Sequence, residues 1–136
     1  MPAAIVDRDT RARDGIMRNF PLAAAAVLYA GTIAVLNAGN LTRGVTGVGL
    51  VCVGVTRERL DNSTGIAGAA RGNVHLGVYG PFTNSAAADL IAAADIGNDC
   101  FIVDDQTVAK TNGTATRSVA GKVFDVSADG VWVKFN

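Results

Sequence analysis

Reactive side chains are scarce in this chain. Its 136 residues hold one histidine, two cysteines and one tryptophan, and twelve Lys plus Arg balance twelve Asp plus Glu to a net charge of zero. That balance supplies no global field for nucleic acid or an anionic membrane, so electrostatics name no partner. Cys52 and Cys100 sit inside apolar runs (LVCVGV and CFIV) without CxxC spacing or clustered histidine. They are expected to be buried thiols of a reducing cytoplasm, with a disulfide left open by sequence. PLAAAAVLYAGTIAVLNAG is glycine-interrupted and alanine-rich, too weakly apolar for a bilayer span, and the polar start MPAAIVDRDTRARDG is not expected to be a secretory signal. Asn40, Asn62 and Asn112 open glycosylation triplets that are expected to be turn-forming loops. Aromatic residues are few and scattered, so basic residues are not expected to cluster with stacking rings of the kind single-strand binders use.

What the chain does have is Ala, Val and Gly. Apolar residues make up 49% of it and sixteen residues are glycine, which favours short strands and tight corners within one domain. Residues 1–20 differ from the rest: Asp7, Arg8, Asp9, Arg11, Arg13, Asp14 and Arg18 alternate in sign with little to bury, and read as an extended N-terminal arm. Residues 21–136 read as a β-rich domain, mainly β, a small barrel or sandwich with one short helix.

The strand signals are short and regular. GLVCVGVTRERL sets Val51, Val53 and Val55 on one face against Cys52, Gly54 and Thr56, and NVHLGVYGPF sets Val74, Leu76 and Val78 together. AAAAVLYA is assigned to a strand, and Asn37-Ala-Gly39-Asn40 to a corner. Asp129-Gly130 between alternating apolar residues marks a hairpin. NSAAADLIAAADIG predicts the helix, capped by Asn84 or Ser85 and ended by Gly97. In VWVKF, Trp132 shares a face with Lys134, opposite Val131, Val133 and Phe135; if the valine face is inward, Trp132 becomes an interface residue.

Three features invite a chemical reading. Asp104 and Asp105 are adjacent, but neighbouring side chains of an extended chain point apart, so the pair reads as a turn corner rather than a catalytic dyad. Neutralising both is expected to cost at most about 1 kcal/mol. His75 stands alone, without a nucleophile motif or a metal-ligand cluster. Gly44-Val-Thr-Gly47-Val-Gly49 lacks the GK[ST] and the following helix that a phosphate loop needs. No catalytic residue, cofactor or metal is therefore assigned, and the chain is not expected to be an enzyme.

In order, AGTIAVLNAG, GVGLVCVGVTRERLDNSTG, HLGVYGPF, DIGNDCFIVDDQTVAKT and SVAGKVFDVSADGVWVKF resemble small structural proteins of tailed-bacteriophage heads that decorate or cement the shell. The likeness covers roughly residues 20–136 and is most specific in the closing hairpins. It implies a β-barrel or β-tulip-like module, a homotrimer bound to the major capsid protein on the outside of the virion, made in the bacterial cytoplasm, without nucleic acid or membrane as partner. A tail or head-completion subunit, and a small ligand- or carbohydrate-binding domain, are the rival readings. The resemblance transfers no binding motif, so the candidate interaction residues come from this chain alone: Arg8, Arg11, Arg13, Arg18, Phe20 and Trp132.

Overall fold

The computed structural model describes residues 3–8, 11, 13 and 15–136. Seven strands lie between residues 17 and 75: β1 (Met17–Pro21), β2 (Val27–Leu28), β3 (Ile33–Asn37), β4 (Asn40–Arg43), β5 (Val51–Val55), β6 (Leu60–Asp61) and β7 (Arg71–His75). The remainder adds five more: β8 (Gly77–Asn84), β9 (Asp99–Ile102), β10 (Thr107–Ala109), β11 (Val119–Ser127) and β12 (Gly130–Phe135). They form two bodies. The first is an antiparallel sheet in the order β1-β7-β5-β3-β4, with β2 and β6 as a separate ribbon. Its outer strands approach each other just past β1, where Leu22 bridges Leu41 and the Ala23 N–H donates to the Leu41 carbonyl at 2.9 Å. The sheet is thus rolled around Leu22, Leu28, Ala34, Leu41, Val53 and Val74. The second body is a closed barrel, β10-β8-β12-β11-β9.

The two bodies share a wall. Ile33, Val35 and Val55 belong to the roll but pack with Phe82, Ile102, Val131 and Phe135 of the barrel, while Ala34 and Val53 pack into the roll. With both faces covered, Ile33, Ala34 and Val35 are all buried, as in strands enclosed on two sides.

This wall corrects the expected phase of β5. Val51 is exposed, Val53 lies in the roll core and Val55 in the barrel core, because a bulge intervenes: Ala34 pairs with Gly54 but Val35 pairs with Cys52. One extra residue reverses the facing of the remainder of the strand. Gly54 has φ +122°, and a Cβ there would stand 2.2 Å from the His75 carbonyl oxygen, so only glycine fits.

Three other expectations are changed. NVHLGVYGPF is two strands in different bodies: Val74 faces the roll core, Leu76 packs on the barrel core, and Val78 is exposed after the turn at Gly77, φ +135°. AAAAVLYA is strand only at Val27–Leu28. The expected helix is two short 3-10 turns, Ala87–Asp89 and Ala93–Asp95. Asn84 does not cap it but clamps the chain across the loop, donating to the Ile91 carbonyl at 2.8 Å and accepting from its N–H at 3.0 Å. Ile91 is the one apolar side chain of this loop in the barrel core, so no helical apolar stripe exists to be buried.

Elsewhere the corners are as expected. Asn37 pairs with Asn40 across Ala38 and Gly39, both at positive φ, and Ser127 pairs with Gly130 across Ala128 and Asp129. Val131, Val133 and Phe135 face inward and Trp132 outward. Segment 1–20 divides, since its last residues, Met17 to Phe20, pair with β7 as part of β1.

Gly54→Ala should cost at least about 3 kcal/mol or prevent folding, by clash and by strain. Gly39→Ala, where nothing lies within 4 Å of the added carbon, should cost about 1 kcal/mol. Equal urea midpoints for the two variants would remove the bulge as the constraint on the wall.

Candidate interaction surface

Asp104 and Asp105 point to different tasks. The Asp104 carboxylate accepts the Gln106 N–H at 2.9 Å, the turn arrangement. Asp105 is 5% exposed and takes the Arg43 guanidinium at 2.9 Å, while its carbonyl accepts the Ile33 N–H at 2.8 Å. The corner between β9 and β10 therefore ties the barrel to the roll. The glycine loop does likewise: the Thr46 hydroxyl donates to the Val103 carbonyl at 2.7 Å, and the Ser118 hydroxyl donates to the Gly47 carbonyl at 2.7 Å. It is a strap between the bodies. His75 ends β7, half-buried, between Met17 and Val55.

Burial pushes the Cys52 thiol up to about 11 and the Cys100 thiol up to about 12, in each case chiefly by desolvation. Both are free and stay protonated at neutral pH, which disfavours nucleophilic or metal-binding roles. Among the described residues, no three His, Cys, Asp or Glu side chains gather as a metal site, and no helix is long and apolar enough to cross a membrane.

The candidate interaction residues fall in separate places. Arg8, Arg11 and Arg13 are exposed ahead of β1, whereas Asp9 and Asp14 of the same charge alternation lie outside the described residues. Arg18 and Phe20 share a face of β1, the guanidinium 4.6 Å from the ring centroid, and Phe20 leans on the roll core. Trp132 is half-buried on the barrel, against Gly80, where an added Cβ would meet the indole at 3.2 Å. Phe20 and Trp132 thus belong to different bodies.

Basic and aromatic residues do cluster, contrary to expectation. Arg43 and Arg59 lie over the Tyr29 ring at 5.8 and 5.4 Å, and Arg57 over Tyr79 at 5.6 Å. The Tyr29 backbone is pinned, since its carbonyl accepts the hydroxyls of Thr32 at 2.7 Å and Thr56 at 2.8 Å. Tyr79 rests on Phe135, with centroids 6.5 Å apart. Beside this cluster runs a groove of about 520 Å³ along the meeting of roll and barrel, lined by Thr32, Arg57, Tyr79, Pro81, Thr83 and Gln106 among others. These five residues, in two groups on Tyr29 and Tyr79, are spread from position 29 to 79, so periodicity could not bring them together. The sequence signal was Arg57-Glu-Arg59 directly after a buried strand, which places two arginines at its exposed end.

A second groove, about 550 Å³, includes Val48, Val51 and Val119, which are 42–66% exposed, beside Lys122 and Lys134. Lys122 is already paired with Asp99 at 2.6 Å. Comparison with protein-family models, curated proteins and solved structures gave no match.

The Arg43–Asp105 pair raises the cost anticipated for the corner. Asp104→Asn should stay within about 1 kcal/mol. Arg43→Ala strands a buried carboxylate and should cost about 2 kcal/mol, less than the roughly 3–5 of fully buried pairs because the arginine side chain is 47% exposed. Chemical denaturation of the two variants separates these values; a negligible loss in Arg43→Ala would mean the pair does not join the bodies.

Proposed function

We propose that this chain is a structural protein of a tailed-phage virion that binds the outer surface of the capsid and cements the expanded shell. The observation that carries the reading is the segment ahead of β1. Ile5 is 93% exposed, Val6 76% and Ile16 62%, on a stretch of alternating charge that leads directly into an edge strand of the roll. Covering an Ile and a Val is worth about 1.5–3 kcal/mol each, enough to offset part of the ordering cost of about 1–2 kcal/mol per residue. The chain's own domain leaves them uncovered, so a neighbouring subunit is the surface that would gain by receiving them. The ordered motifs of residues 20–136 support the same assignment by resemblance.

The action is mechanical. A protein that binds the expanded lattice and not the immature one stabilises the former by its differential affinity, about 2.7 kcal/mol per site at a hundredfold excess over Kd. Repetition around a shell, with each copy a trimer on the major capsid protein, turns modest contacts into avidity. The threonine-lined groove favours a second reading, a small ligand- or carbohydrate-binding domain. Light scattering separates trimer from ring or monomer. Co-sedimentation with expanded but not immature shells is the expected result, and equal binding to both would overturn the cementing role.

Deleting residues 1–15, which stops short of β1, should change the stability of the free protein by less than about 0.5 kcal/mol and weaken shell binding at least about tenfold. A large loss of thermal stability would instead make this segment part of the domain's own packing.

A further inference from the structure

Three arginines of the cluster share a posture, each set over a tyrosine ring, and one of them shows what the posture is for. Arg43 lies over Tyr29 and at the same time grips the Asp105 carboxylate at 2.9 Å. A guanidinium resting on a ring keeps its N–H edge free, and that edge matches a carboxylate. Arg57 over Tyr79 and Arg59 over Tyr29 hold the same arrangement, yet among the described residues neither forms an ion pair. Asp61 feels Arg59 only weakly, its carboxyl being held below the ordinary range first by its hydrogen bonds to Ser63. Both arginines are exposed.

We infer that Arg57, which lines the groove between roll and barrel, and Arg59, two residues on, are a docking site for an acidic segment of a partner protein, whose carboxylates complete what Asp105 supplies to Arg43. Several features favour a peptide over a nucleic acid. The two tyrosine rings carry guanidiniums over them and do not offer open stacking platforms for bases. Two arginines with exposed Glu58 between them form no extended basic track for a phosphate backbone. Beside Arg57 the groove is lined by Pro81 and Tyr79, which suits an aliphatic neighbour of the carboxylate. Thr32 and Thr56 hold the Tyr29 backbone and Phe135 packs against the Tyr79 ring, so both tyrosines are anchored beneath the guanidiniums at one point each. This names the chemistry of the binding face in the shell-protein reading and rests on it for the identity of the partner.

The test titrates the full-length protein with a short, capped peptide of alternating Glu and Val, with the alternating Lys and Val peptide and oligothymidylate as separate arms. The acidic peptide should bind, weaken with added salt, and lose about tenfold in affinity in the Arg57→Gln, Arg59→Gln double variant. Arg71→Gln, whose arginine bonds to Asn19 across β1 and β7, should bind like the unaltered protein. Retained affinity in the double variant, no binding of the acidic peptide, or tighter binding of oligothymidylate would each overturn the inference. If the unaltered protein binds the peptide through these arginines but ignores expanded shells, the docking site stands and the shell reading falls. If shells bind the double variant as well as the unaltered protein, the docking site falls and the shell reading stands.

Discussion

Strands β3 and β5 form a wall with an apolar core on each side, and keeping both of its faces dry is the constraint on which the remaining structure depends. Ile33, Val35 and Val55 face the barrel, Ala34 and Val53 the roll, and each fully buried large side chain contributes about 1.5–3 kcal/mol. A regular β5 could not serve both, because Val53 and Val55 would then point the same way. The bulge at Gly54 resolves this by inserting one residue, and the missing Cβ lets the His75 carbonyl come close. The wall fixes how roll and barrel meet, and the Thr46, Ser118 and Arg43–Asp105 links hold the same joint from outside.

Features legible in the sequence were those decided locally. The corners at Asn37–Asn40 and Ala128–Asp129 follow from turn chemistry, and the inward face of Val131, Val133 and Phe135 follows from period two. Asp104 was readable as a turn residue because its hydrogen bond reaches only two residues on. What was not legible depended on partners distant in the chain. The phase of β5 is set by β3 and by a carbonyl of β7, neither visible in GLVCVGVT. The alanine-rich loop has helical propensity, but Asn84 bonded to Ile91 and a single core-seeking side chain decide its path. The pairing of buried Asp105 was equally hidden, since its partner, Arg43, lies on the other body.

The arginine–tyrosine cluster shows why a net charge of zero excludes less than it suggests. Net charge is a sum over the surface, whereas at physiological salt a charge is felt over about 8 Å. On the barrel side, Asp89, Asp95 and Asp99 are matched by Arg117, Lys110 and Lys122 in turn, so three of the twelve acids are neutralised where they stand. Acids held in these pairs do not offset Arg57 and Arg59, which stand at the joint between the bodies. A neutral chain can therefore still expose unpaired arginines at one place, here Arg57 and Arg59 on either side of exposed Glu58.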